Sequence, residues 1–178
     1  MSLRTEPVIR TPRLLLRKVR PAEDFAAMHA ILANPQAMAF WSSLPHESED
    51  QSLDWLADMA AIPPAEGADF IVEYQGQPIG KAGFYRFPEI GFLFAPDVWG
   101  QGFASEAIYA VLANGFAEHG LEGALADVDP RNAASLRLLA RLGFAETRRA
   151  ERTWLIGDQW CDSVYLSVSR EVWLARTA

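Results

Sequence analysis

The 178-residue chain is half apolar and 22% charged, a globular composition long enough to bury one core without cross-links. A net charge of −7 with no basic stripe argues against nucleic acid as a partner, because phosphate tracking needs clustered cations. Cys161 stands alone, which excludes a disulfide framework within the chain, and no apolar run reaches the roughly 18 residues of a membrane span. With no apolar leader after Met1, a cytoplasmic protein is expected.

Thr11 to Val19 reads as a first strand, with Pro12 at its start and Ile9, Leu14 and Leu16 on one side. Residues 21–33 form a helix by the spacing of Phe25, Met28 and Leu32, and Asn34-Pro35 stops it. A second helix between Glu49 and Ala61 carries Leu53, Leu56 and Ala60, and Pro63-Pro64 ends it. Phe70–Tyr74 and Pro78–Phe84, on either side of Gln75-Gly76-Gln77, make a hairpin. Glu89–Phe94 is another strand, leading through Pro96 into Trp99-Gly100-Gln101-Gly102-Phe103-Ala104-Ser105-Glu106-Ala107.

From Ala104 the small or apolar residues Ala107, Ile108, Val111, Leu112, Gly115 and Phe116 keep helical spacing up to His119-Gly120. Gly123–Val128 is a buried strand, and Asp129-Pro130-Arg131-Asn132 turns it into a short helix with Leu136, Leu139 and Leu142, ended by Gly143. Two closing strands, about Phe144–Leu155 and Cys161–Val168, flank a turn at Gly157-Asp158. Without internal repeats, this order gives one α/β layer structure with a mixed sheet and helices on both faces. Most of the six tryptophans are expected in its core.

The two spaced glycines, Gly100 and Gly102, join an extended run to a helix start, where unpaired N–H groups and the helix dipole suit an anion. Glycine lets such a backbone approach a phosphate closely; an ordinary turn is the alternative. If Gly123–Val128 lies parallel to Glu89–Phe94, the phosphate site falls at the strands' carboxyl ends, and an extended ligand arm can add to the Glu89–Phe94 edge. The motif lacks the Lys and Ser/Thr of a P-loop and the third glycine of a dinucleotide fingerprint. His29, His46 and His119 match no metal spacing with Cys161, and no Gly-x-Ser-x-Gly elbow occurs. Arg148, Arg149 and Arg152, interrupted by Glu151, read as a solvated strand or loop, or as contacts to a ligand phosphate.

Three segments in this order resemble the GNAT superfamily of acetyl-coenzyme A-dependent N-acetyltransferases, closest to its RimJ/RimL-like branch of ribosomal-protein N-terminal acetyltransferases. They are Thr11-Pro12-Arg13-Leu14-Leu15-Leu16-Arg17, then Glu89-Ile90-Gly91-Phe92 with the Trp99–Ala107 loop, then Asn132, Ser135 and Leu142-Gly143-Phe144. The likeness covers residues 9 to about 170, which implies one domain over 9–175 behind an extension at 1–8. Trp99 stands where the superfamily has Gln or Arg, a replacement common in that branch. The resemblance implies a GNAT fold: a mixed, mostly antiparallel sheet of six or seven strands, helices on both faces and a parallel pair around the coenzyme.

It further implies acetyl-coenzyme A as acyl donor, no metal, and direct attack of an amine on the thioester. That chemistry needs a neutral amine, donors for the oxyanion and a proton for the departing thiolate. An α-amine, with a pKa of about 7.7–8.0, asks less of a base than a lysine at about 10.4. Glu89 is the candidate base, directly or through water; the alternative is an exposed carboxylate after Pro88. Ser135 is the candidate partner of the thiolate sulfur, or a hydroxyl satisfied by its own helix turn. Backbone groups of Gly100, Gln101, Gly102, Phe103, Ala104 and Ser105 hold the pyrophosphate. Leu93 and Phe94 supply N–H donors to the arm and the oxyanion, and Asn132 binds the arm, caps its helix, or both. Tyr109 and Tyr165 are rival proton donors, each with packing as the alternative.

The acceptor implied is the α-amine of a protein, a peptide or a small amino compound, in a pocket bordered by residues 34–49 and 148–160, with Trp41 beside it. Neither a nucleic acid nor a membrane partner is expected, and a homodimer is compatible. The alternative of another class is a non-catalytic coenzyme A-binding sensor or regulatory module. A nucleotide-phosphate binding domain unrelated to acyl transfer is a third.

Overall fold

Thr11-Pro12-Arg13, expected to begin the first strand, is a turn between two short strands. In the computed structural model, which describes residues 8–177, Thr11 N–H donates to Leu14 O at 3.0 Å and Leu14 N–H returns to Thr11 Oγ1 at 2.8 Å. The chain therefore reverses, and β1 (Val8–Arg10) pairs antiparallel with β2 (Leu14–Arg17). Val8, expected in an extension, is thus in the sheet; residues 1–7 lie outside the described residues.

The remaining strands are β3 (Ala68–Tyr74), β4 (Gln77–Arg86), β5 (Glu89–Phe94), β6 (Gly123–Val128), β7 (Ala145–Ile156) and β8 (Gln159–Ser169). They form one eight-stranded sheet in the order β1-β2-β3-β4-β5-β6-β8-β7, one strand more than the upper expectation. Every neighbouring pair is antiparallel except β5 with β6.

Helix starts follow local chemistry. Pro21 opens α1 (Pro21–Leu32), where a missing N–H costs nothing. Ser48 and Gln51 exchange side-chain and backbone bonds as a capping box ahead of α2 (Glu49–Ala61). Gly102, at φ +81°, precedes α3 (Phe103–Glu118) and gives it no side-chain cap. Asn132 caps α4 (Ala133–Arg141) by accepting from Ser135 N–H at 3.1 Å. A terminal helix that the sequence reading left unassigned, α5 (Arg170–Thr177), follows β8.

Two apolar clusters cover the sheet. The larger joins Ile90, Phe94, Ala126 and Val164 of the sheet to Ile108 and Leu112 of α3, Leu139 of α4 and Trp173 of α5. The smaller sets Ile71 and Leu93 against Met28 and Leu32 of α1 and Leu56 of α2. Half of the six tryptophans, where most were expected, join the core, with Trp41 and Trp55 packed against the smaller cluster. Trp173 is buried, but Trp99, Trp154 and Trp160 stand 47%, 47% and 46% exposed. They belong to a loop and to the β7–β8 hairpin, outside the helix layers.

A buried ion network ties α1 to the sheet. Arg17 Nη1 and Nη2 reach Asp24 Oδ2 and Oδ1 at 2.9 and 2.6 Å, and Arg17 Nε reaches Glu73 Oε1 at 2.7 Å. The two carboxylates hold the Arg17 guanidinium above its usual range, with the Asp24 bond the largest cause. Asp24→Ala leaves the buried guanidinium with Glu73 alone and should cost about 3–5 kcal/mol in denaturant unfolding, while joint replacement with Arg17→Met should cost less. A double variant as unstable as the single would show that the pair itself supplies net stability.

Candidate active site

Strand β5 is paired along its whole length on one side and hardly at all on the other. Its register with β4 runs from Glu89 opposite Arg86 to Phe94 opposite Gly80. With β6 it pairs only at Glu89 opposite Leu125, where Leu125 N–H donates to Pro88 O at 2.9 Å, and then the strands part. Ala95 N–H donates to Ile79 O at 3.0 Å, which sets the phase of the alternation. Leu93 and Gly91 then turn their backbone groups into β4, and Phe94, Phe92 and Ile90 turn theirs toward the gap. Of the two expected arm donors, Leu93 thus has its N–H turned into the sheet, while Phe94, with Phe92 beside it, faces the gap.

The glycine loop stands at the mouth of this gap. Glu106 N–H makes the first helical bond of α3, to Gly102 O at 3.0 Å, so the N–H groups of Phe103, Ala104 and Ser105 precede the helical ladder. Gly100 and Gly102 both have positive φ, +73° and +81°, a conformation that L side chains adopt at a cost. Trp99 works as a fastener, its indole N–H donating to Phe94 O at 3.0 Å, and Gln101 Nε2 reaches Asp97 O at 3.2 Å.

A strap from β1–β2 fixes the loop from behind. Glu106 Oε1 accepts from Thr11 Oγ1 at 2.6 Å and from Arg13 N–H at 3.0 Å, while Oε2 accepts from Arg13 Nε at 2.6 Å. Arg13 Nη1 goes on to Gln101 O at 2.9 Å, and its guanidinium lies 4.4 Å from the Phe103 ring centroid. Partial burial raises the Glu106 carboxyl, but the Thr11 and Arg13 donors outweigh it and leave it below the usual range. The opening Thr-Pro-Arg segment and the loop are therefore one device, joined through Glu106.

Helix α4 forms the far wall. Asn132 Oδ1 is committed to capping, Ser135 is half-buried one turn on, and no partner for its hydroxyl lies among the described residues. Arg141 Nη2 at the helix end comes within 3.5 Å of Ser105 Oγ in the first turn of α3.

Glu89 lies on the α1–α2 face, which it shares with Gly91 and Leu93 by the two-residue strand period. Its carboxylate accepts from the Tyr85 hydroxyl and pairs with Arg86 at 2.8 Å. Burial, then the bond to Glu89 and its charge, push the Tyr85 phenol well above its usual range, so it stays a donor. Tyr85 is thus the tyrosine that the sequence reading missed. Lys81, Gly83 and Tyr85 share one face by strand alternation, and the tight β4–β5 connection brings Tyr85 back to Glu89. Tyr109 packs on Trp173 at 5.3 Å, outside the site, and Tyr165 lies under Arg148 at 4.2 Å. Arg149 pairs with Glu146 at 2.7 Å, and Arg152 covers the Trp160 ring. Trp41 covers Lys81 at 5.8 Å, and Lys81 pairs with buried Asp69 at 2.7 Å.

An uncapped helix start beside an open strand edge suits an extended ligand with an anionic end. The family described as Acetyltransferase (GNAT) domain matches residues 13–145, and the chain belongs to that family. It is 33% identical over 147 residues to an uncharacterized N-acetyltransferase, YoaA, of Bacillus subtilis, covering 78% of this chain and 82% of that one. Its fold is shared with the spermidine N-acetyltransferase of Vibrio cholerae solved with CoA and spermine, at TM-score 0.79 and 23% identity over 92% and 99% of the two chains. It is shared too with RimL, a ribosomal L7/L12 alpha-N-protein acetyltransferase solved with coenzyme A, at TM-score 0.80 and 15% identity over 92% and 98%. The chain is therefore an acyltransferase, and its open edge and uncapped helix start suit an extended ligand with an anionic end.

Glu106→Gln should weaken coenzyme A binding about tenfold by calorimetry, because the charge-assisted strap slackens. Since the Glu106 pKa is lowered in the fold, its stabilising effect is complete above the unfolded value of about 4.3 and fades as pH falls through the lower folded one. The difference in Tm between wild type and Glu106→Gln should shrink accordingly below about pH 4. Equal coenzyme affinities would show that the strap does not shape the loop.

Proposed function

We propose that the chain is an N-acetyltransferase of the RimJ/RimL-like branch acting in the cytoplasm on the α-amine of a peptide, a protein or a small amino compound. The observation that carries this reading is the alignment of three features along β5: the uncapped loop at its carboxyl end, the open edge at Phe92 and Phe94, and Glu89 at its start. The Thr11–Arg13 strap on Glu106 supports the branch, since it unites two segments that carry the resemblance. When bound, acetyl-coenzyme A supplies an activated acyl thioester.

The chain's own groups then divide the work. The N–H groups of Gln101, Gly102, Phe103, Ala104 and Ser105 hold the pyrophosphate. Phe92 and Phe94 offer N–H donors to the arm and to the carbonyl oxygen as it gains charge. Glu89, held by Tyr85 and Arg86, takes the proton of the acceptor ammonium, and the Ser135 hydroxyl donates to the sulfur as it leaves. Asn132 keeps the start of α4, and with it Ser135, in place.

Thiol release over peptides, amino acids, polyamines and aminoglycosides tests the activity. Turnover with at least one α-amine is expected, and Glu89→Gln should lower kcat by about 100-fold or more with the KM for acetyl-coenzyme A unchanged. Coenzyme A binding without release from any amine would favour a non-catalytic sensor. An unchanged kcat in Glu89→Gln would assign the proton to another group.

A further inference from the structure

Among the described residues, Asp127 is a carboxylate with no cationic partner, standing across the gap from Gly91. Leu125 is opposite Glu89, so two residues further along each strand bring Asp127 level with Gly91 on the same face. Gly91 makes room there for its neighbours: a Cβ would press on Tyr85 Cδ1 at 3.3 Å and lie 3.6 Å from Lys81 Nζ, so the Tyr85 ring and the Lys81 ammonium line this side of β5. Trp154 Nε1 donates to Asp127 Oδ2 at 2.9 Å, and among the described residues no Lys, Arg or His pairs with this carboxylate. The cations nearby are engaged: Lys81 with Asp69 at 2.7 Å, Arg86 with Glu89 at 2.8 Å, and Arg131 with Asp129 at 2.6 Å.

The surroundings of Asp127 are apolar yet open. Tyr85, Leu125 and Trp154 are each exposed on this face. Beyond them the α1–α2 connection brings the exposed Phe40 and Leu44, and Leu44 seats against Gly157, where a Cβ would lie 3.2 Å from its Cδ1. The exposed Tyr85, Leu125 and Trp154 beside a solvent-facing carboxylate suit a ligand with one positive charge and an apolar body.

We propose that Asp127 is the acceptor-specificity residue, holding the ammonium of a primary amine that carries an apolar or aromatic body and no carboxylate beside the nitrogen. The assignment rests on the acetyl-transfer reading above. Asp127, oriented by Trp154, receives the charged amine, and Glu89 then takes its proton. The freed nitrogen bonds to the thioester carbonyl carbon, the carbon–sulfur bond breaks, and the second proton that nitrogen sheds replaces the one the Ser135 hydroxyl gives to sulfur. An amine beside a carboxylate meets two carboxylates of its own sign at Asp127 and Glu89. Both a peptide with an aromatic first residue and a free arylalkylamine present the required chemistry.

Thiol release with 2-phenylethylamine, with the peptide amide Phe-Ala-Ala-NH2 and with free phenylalanine separates these sources and tests the assignment. At least one of the first two should be acetylated with kcat/KM about tenfold or more above that of phenylalanine. Asp127→Asn should raise the amine KM about tenfold or more, with the KM for acetyl-coenzyme A and the Tm unchanged, and Asp127→Glu should recover part of the loss. Trp154→Phe keeps an aromatic wall but frees the carboxylate, so it should raise the amine KM alone and serves if Asp127→Asn does not fold. Phenylalanine acetylated as well as 2-phenylethylamine and the peptide amide, or an amine KM indifferent to both variants, overturns the assignment while acetyl transfer stands. Variants that change dimer to monomer in sedimentation without moving the amine KM make this face a contact between copies, which also overturns it. Coenzyme A binding with no release from any amine removes the acetyl-transfer reading and this assignment with it.

Discussion

Pairing between β5 and β6 begins at one residue pair and stops, and the rest of the site depends on that failure. Backbone N–H and C=O groups seek partners, and along the gap those of Phe92 and Phe94 have no strand to meet. Trp99 satisfies one of them by donating to Phe94 O at 3.0 Å, which also ties the glycine loop to the strand end. What stays open is a strand edge that leads from an uncapped helix start toward Glu89. An extended ligand with an anionic end can complete the sheet and the helix together.

The same gap separates two kinds of surface. The larger core, under α3, α4 and α5, anchors the sheet with Ile90, Phe94 and Ala126 and holds the loop and the α4 wall in place. The opposite face, under α1 and α2, carries Tyr85, Glu89 and Asp127 and is roofed by the 34–48 connection and the β7–β8 hairpin. Gly91 thins the sheet between them. Donor and acceptor can therefore approach the same strand from different sides, and the Arg17–Asp24 network keeps α1 registered on its face.

The loop, the strand before it and the parallel partner after it were legible because glycine spacing, apolar runs and helical periodicity are local signals. Asn132 as the cap of α4 was legible for the same reason, whereas Ser135 was a candidate only through the family resemblance. Leu93 was misread, since which residues of a strand face a given neighbour depends on the phase of pairing with β4, which one strand does not encode. Tyr85 went unseen because its meeting with Glu89 arises only when β4 and β5 pair. Glu106 looked like one acidic residue of a helix start; its role needs Thr11 and Arg13, more than ninety residues earlier, to fold back onto α3. The exposed tryptophans followed no periodicity that could place them outside the helix layers.

Residue-resolved amide exchange along β5, with and without coenzyme A, tests the central claim most directly. In the free protein, Leu93 N–H should already be protected, because β4 uses it, while Phe92 and Phe94 exchange faster. Coenzyme A should protect Phe92 and Phe94 and leave Leu93 unchanged. Coenzyme A bound to the protein with the exchange of Phe92 and Phe94 unaltered would contradict the account.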